Sequence, residues 1–377
     1  MRSCPAVVAL VLLAVLAPAA RAADPGRWRD AGRSIIPITY FQGVTSDTAG
    51  NLWFDGIQVG LYRTTPRLSQ VSAVEDVIPP DVTATEGYNH VGDLSFDETA
   101  GGGRVLLPLE CYDPGRDPAN FCGTGAIGVA DPRTLAWRYY VKLDPADIPK
   151  AMWCEIDPAG RLLWTSSGDD LLAYRTSDVS LSHAAPTGPT IRPVRRLAGA
   201  VPPTGITGAT FYARRLLVAG ADGTTFRVWS IDIRTGRRRL EIERTFSGES
   251  EGLDSLRGLD GTLHWQVQPI TDTPPPTFAE PSLLHFQPVP KPELQVRVSP
   301  RVIHAGDRAK LSVTVRGAWR AAHQELPGAT VRVAGQRGVT RSSGAATFRV
   351  RPRRAGRLRV RATALGQGPA TTTVRVR

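Results

Sequence analysis

The sequence predicts an all-β chain, and three observations carry that expectation. Short apolar runs joined by hairpin-type turns recur about every 47 to 57 residues through the first three quarters of the chain. Beyond Glu293 the runs alternate strictly between apolar and polar side chains, the period of a half-buried strand. No amphipathic helical period of useful length appears, which argues against a helical or α/β enzyme.

The clearest unit is Glu155 to Val179. A run ending at Asp157 meets a Pro-Ala-Gly turn, Leu162 to Trp164 follows, Gly168-Asp169 turns again, and Leu171 to Tyr174 ends at Arg175. Turn chemistry of this kind predicts three antiparallel strands.

Taken in order, the chain begins with Arg2, an apolar run from Ala6 to Ala17 and the small-x-small site Ala20-Arg21-Ala22. These read as a secretory signal peptide over 1–22, so the mature chain is expected to start near Ala23. Cys4 precedes the apolar run, which argues against a lipoprotein attachment cysteine. No later apolar run reaches the roughly 18 residues of a membrane span. The protein is therefore expected to be secreted, extracellular or held at the cell envelope, with no membrane span.

Residues 24–34 are polar and give little. The run Ile35 to Tyr40 has no unit of its own and is expected to supply an outer strand that closes the array. Repeat units follow with second strands starting near residues 51, 104, 161, 215 and 262. Fixed-period units of three or four strands are the signature of a β-propeller, here over 35–287 with five blades. A sixth, degenerate blade at Arg192 to Thr207 or Val71 to Tyr88 is left open. A linker over 288–293 (Gln287 to Pro292 reads QPVPKP) leads to six alternating runs within 294–377, which predict a β-sandwich.

Setting Cys4 aside, the oxidising compartment leaves Cys111, Cys122 and Cys154. A Cys111–Cys122 disulfide closes the Pro/Gly/Asp-rich excursion between them, and Cys154 is expected to be a buried free thiol. Charge is uneven. The net charge is +11, yet residues 290–377 carry 19 Lys/Arg against three acids, which leaves residues 23–289 at −7 once Arg2 and Arg21 are set aside.

In a propeller the innermost strands line a channel, so ionisable residues there are the candidates for chemistry. They are His90, Asp93, Glu110, Glu155, Glu251 and Asp254. Converging acids with one histidine suit calcium or another divalent cation, or paired carboxylates for hydrolysis. Asp47, Asp97 and Asp157 precede turns and are assigned to turn amides. Trp53, Trp164 and Trp265 occupy like positions and are assigned to packing. Gly248 to Gly252 matches GxSxG, but a strand follows where a nucleophile elbow needs a helix.

The strand-DxxG-strand hairpins over Phe41 to Phe286 resemble secreted bacterial propellers of the NHL, YWTD and gluconolactonase-like kind. In gluconolactonase-like members a divalent metal sits in the channel on Glu, Asn and Asp; His90, Asp93, Glu155 and Glu251 are the residues available here, although that set does not map onto them one by one. PGATVRVAG, TRSSGAATFRVRP and AGRLRVRATALG resemble a bacterial immunoglobulin-like domain of the invasin/intimin type. Together these imply a secreted, non-catalytic binding protein, with the propeller recognising a ligand or protein and the basic sandwich serving as spacer or attachment to an anionic cell-wall polymer. The alternative is a metal-dependent hydrolase or lactonase with its site in the channel. Nucleic acid is not expected as a partner, because no aromatics interleave with the arginines.

Overall fold

The computed structural model describes residues 28–377 apart from 57–58, 117–118, 120, 158–160, 213–214, 257–260, 271–279, 290–292, 320–321, 327, 342 and 364–368. The expected signal peptide lies outside the described residues.

The chain is all-β in character, with seven sheets and one seven-residue helix, Pro80–Glu86, among the described residues. Five antiparallel sheets occupy the first three quarters. Their inner strands are Gly43–Ser46, Ser95–Asp97, Glu155–Ile156, Gly208–Tyr212 and Gly248–Ser255. In each sheet the following strands pair outward by hairpins, as in Gly208–Tyr212, Arg215–Asp222, Thr225–Ile231 and Arg238–Thr245. In the second sheet His90–Val91 also pairs with Arg104–Glu110, placing His90 opposite Glu110. Each inner strand touches the next, and the last touches the first, so the five form a closed cycle.

Both faces of each sheet are buried, because apolar side chains alternate toward the two neighbours. Leu107 packs with Trp53 and Leu61 of the first sheet, whereas Leu106 packs with Leu163 and Leu172 of the third. Three further cores lie between the third and fourth, fourth and fifth, and fifth and first sheets. The near-continuous apolar runs that result carry little period-2 signal.

The fifth sheet takes its outer strand from the start of the described chain. Trp28–Ile35 pairs antiparallel with Ser282–Pro288, from Trp28 opposite Pro288 to Ile35 opposite Ser282. The closing strand thus precedes the expected run, and Ile38–Tyr40 is a 3-10 turn. Only Trp28 is buried in the closing strand, so this exposed edge strand carries no apolar pattern in the sequence. The segments considered for a sixth unit have other uses: Gln70–Val74 and Arg195–Leu197 are the outer strands of the first and third sheets.

The packing role of the tryptophans holds, but their positions are not equivalent. Trp53 stacks on Phe96 of the next sheet, with ring centroids 4.6 Å apart. Trp265 packs backward against Phe226 of the preceding sheet. A register shift puts one extra residue between Ser250 and Leu253 of the inner strand, so that they stand opposite Val267 and Trp265, which face the same side.

The remaining two sheets lie within Glu293–Val376. One joins Glu293–Ser299, Ala309–Trp319, Ala322–Glu325 and Ala345–Val350; the other runs Val302–Ile303, Ala370–Val376, Gly356–Thr363, Thr330–Val333 and Gln336–Val339. They share one core, with Leu311, Val313 and Phe348 meeting Val331, Val360 and Val374. Every alternating run expected from the sequence is a strand here.

Candidate functional site

Short polar side chains on the inner strands join the five sheets in a cycle of hydrogen bonds. The Phe96 amide donates to Thr45 Oγ1 at 3.1 Å. Ser95 Oγ donates to Glu155 Oε2 at 2.6 Å, and Glu155 Oε1 accepts from the Phe211 amide at 3.1 Å. The Ser255 amide donates to Thr210 Oγ1 at 3.1 Å, and Ser46 Oγ donates to Asp254 Oδ2 at 2.7 Å.

Asp93 sits at the hub of this cycle, fully buried. Its Oδ1 accepts from the Val44 amide at 3.0 Å, and its Oδ2 from the amides of Ala209 at 2.8 Å and Leu253 at 3.4 Å. Its own amide donates to Met152 O, and its carbonyl accepts from the Cys154 amide, each at 3.0 Å. One residue between two strands of the second sheet, His90–Val91 and Ser95–Asp97, is therefore bonded to the first, fourth and fifth sheets and to the segment entering the third. Glycines permit the approach: a Cβ at Gly252 would stand 2.7 Å from Asp93 Oδ1.

Above this hub, where the inner strands begin, lies a cavity of about 1290 Å³. Gln42, His90, Met152, Thr207 and Glu251 line it, so it draws on all five sheets or the segments entering them. Its outer wall comes from the helix, through Pro80 and Thr83, and from the cysteine loop, through Tyr112 and Ala119. That loop is closed by the Cys111–Cys122 disulfide, with Cα atoms 5.0 Å apart, as the sequence implied. Asn89 clips it further: its Nδ2 donates to Tyr112 O at 2.8 Å, and its Oδ1 accepts from the Tyr112 amide at 2.7 Å.

The cavity is acidic. Glu110, Glu249, Glu251 and Asp76 line it, against the single cation Lys150 among its lining residues. Burial pushes the Glu251 carboxyl well above the usual range, with Glu249, Asp93 and Glu110 adding to the effect. Glu249 is hydrogen-bonded to Glu251 and is itself raised by partial burial. Gln42 Nε2 donates to Glu251 Oε2 at 3.1 Å.

The six candidates therefore divide. His90, Glu110 and Glu251 line the cavity. Asp93, Glu155 and Asp254 lie among the inner strands, where protein donors occupy their carboxylates. Among the described residues no group of three or more His, Cys, Asp or Glu stands close enough to hold a metal ion. Ser250 of GxSxG lies within a strand and accepts from Trp265 Nε1 at 3.0 Å, a packing role. Asp47 and Asp157 accept from turn amides, as assigned. Asp97 accepts from the Thr99 amide and also pairs with Arg104 at 2.9 Å.

Sequence reasoning missed Asp55. It is fully buried, neither carboxylate oxygen meets a donor from another described residue, and burial followed by Asp93 drives its carboxyl well above the usual range. Its signal in the sequence is faint: an acid directly after the apolar Leu52-Trp53-Phe54.

No family model matches the chain, and no curated protein matches it. Solved structures do. An extracellular domain of a one-component system from B. thetaiotaomicron is 15% identical over 90% of this chain, with a TM-score of 0.32; the chain spans 44% of that protein's length. Glutaminyl cyclase from Myxococcus xanthus is 11% identical over 70% of this chain and 97% of its own, with a TM-score of 0.42. A gluconolactonase from Xanthomonas campestris is 11% identical over 71% of this chain and 94% of its own, with a TM-score of 0.39. At these values the likenesses carry no argument about activity.

Proposed function

We propose that the protein is a secreted binding protein: a five-bladed β-propeller over 35–287, extended by its outer strand from Trp28, that takes a ligand in the acidic cavity, followed by an immunoglobulin-like β-sandwich over 294–377 that acts as spacer or cell-envelope attachment. The closed cycle of five inner strands supports the propeller. Two sheets on one core support the sandwich. The disulfide suits an oxidising compartment, and no helix among the described residues is long and apolar enough to cross a membrane.

The observation that carries the binding reading is the cavity itself, which draws on all five sheets or the segments entering them. Its acids favour a cationic or polyhydroxylated small molecule, for which carboxylates and the Gln42 amide offer acceptors and donors. The metal-dependent hydrolase or lactonase reading has less support, because Asp93 and Glu155 already serve backbone amides.

A thermal-shift screen of the mature chain against amines, amino sugars and neutral sugars tests this. A ligand that raises the melting temperature in the parent protein and not in Glu251→Gln supports the cavity. Turnover of a lactone panel, dependent on an added divalent cation and abolished by Glu251→Gln, would replace binding with catalysis.

A further inference from the structure

The second C-terminal sheet presents an unusual outer face. In its register Arg337 stands opposite Arg332, and Arg332 opposite Arg361, so three guanidinium side chains line up across three adjacent strands. Arg357 stands opposite Arg375, and Arg359 opposite Thr373. All six arginines are exposed, and among the described residues no carboxylate pairs with any of them. Like charges directly opposite one another on a sheet are destabilising. A fold that needed only solubility would gain from interspersing acids here, yet none appears on these five strands.

Two adjoining depressions of about 320 and 460 Å³ open on this face, and Arg332, Arg337 and Arg361 line both. Thr330 and Thr363 border the first, and Thr371 and Thr373 lie exposed on the next strand. We propose that this face is a docking surface for a linear, carboxylate-bearing glycan of the cell envelope.

The chemistry selects that partner. Each guanidinium offers a planar fork that fits a carboxylate with two parallel hydrogen bonds, and interleaved threonine hydroxyls suit sugar hydroxyls. Adjacent strands repeat about every 4.8 Å, so a chain laid across them meets successive forks. No aromatic side chain lies on these strands to stack a base, as single-stranded nucleic acid requires. The exposed large apolar side chains, Val302 and Val339, sit on the two edge strands and form no patch to enter a bilayer.

This deepens, and rests on, the attachment part of the proposed function. The test uses the full mature chain on immobilised polygalacturonate, with duplex DNA and phosphatidylglycerol vesicles as competing probes. Arg332→Gln/Arg337→Gln/Arg361→Gln is compared with Arg297→Gln/Lys310→Gln/Arg349→Gln, an equal charge change on the other sheet. The face variant should weaken glycan binding about tenfold or more and the control about twofold or less. Parent binding should fade between about 50 mM and about 500 mM salt. Melting curves confirm folding, and the face variant should melt no lower than the parent, since it relieves repulsion. Equal losses in both variants, no parent binding, or tighter binding to DNA or vesicles would each overturn the assignment. Envelope fragments separate the two levels: if they retain the parent and both variants alike, attachment stands and this face fails. If they retain none, the attachment reading itself fails.

Discussion

Asp93 Oδ2 accepts a hydrogen bond from the Ala209 amide 2.8 Å away, across 116 residues of chain. With the Val44 and Leu253 amides on the same carboxylate, one side chain satisfies three buried donors from three sheets. A catalytic base needs a carboxylate facing a substrate; this one is fully buried and already accepts from three backbone amides. Asp93 is thereby assigned to holding the inner strands together.

Removing it should be costly. Asp93→Ala leaves three buried amides without acceptors, and denaturant unfolding should show a loss of about 3 kcal/mol or more. Asp93→Asn keeps one acceptor oxygen but turns an NH2 group toward a donor, with a loss of about 2 kcal/mol expected. A loss within about 0.5 kcal/mol for Asp93→Ala would contradict the hub role.

The pH dependence of stability should report Asp55. Its carboxyl is raised in the folded state by burial and by Asp93, so the folded protein holds this proton more tightly than the unfolded chain does. The associated stability is fully present below the unfolded value and is lost as pH rises through the folded one. Asp170 and Asp131, lowered by the Arg196 side chain and by the Thr134 amide respectively, act in the opposite sense at more acid pH. Unfolding midpoints should therefore decline as pH rises above the ordinary carboxylate range, and less steeply in Asp55→Asn. Parallel curves for the two proteins would remove Asp55 as the cause.

The cysteines make a separable prediction. Cys111→Ser with Cys122→Ser should cost about 2 to 3 kcal/mol and loosen the loop that carries Tyr112 into the cavity wall. Cys154 is buried, its Sγ lies 3.7 Å from Leu106 O, and burial pushes its thiol well above the ordinary value. In a chain starting at Ala23, Ellman's reagent should accordingly find no reactive thiol in the native state and a single one in denaturant.

Trp28 tests closure of the fifth sheet. It is buried in the core between the fourth and fifth sheets, with its ring 5.2 Å from that of Tyr212. Trp28→Ala should destabilise by about 3 to 5 kcal/mol. Arg33→Ala, exposed on the same strand, should change stability by no more than about 0.5 kcal/mol. Equal effects would mean that the strand adds no packing to the array.

By itself the sequence determined the features that depend on neighbours in the chain. Hairpin turns such as Asp47 to Asn51, the alternating C-terminal strands, the closure of Cys111 onto Cys122 and the burial of Cys154 all follow from short-range spacing and side-chain polarity. Tertiary structure alone decided the rest. Trp28–Ile35 becomes a sheet strand only because an edge more than 240 residues away lacks a partner. Asp93 and Glu155 looked like free channel carboxylates, and only the arrival of Val44, Phe211 and Leu253 amides from other sheets made them structural. His90, Glu110 and Glu251 form one cavity for the same reason: cyclic packing brings residues far apart in sequence to one mouth, and no local periodicity encodes which ends meet.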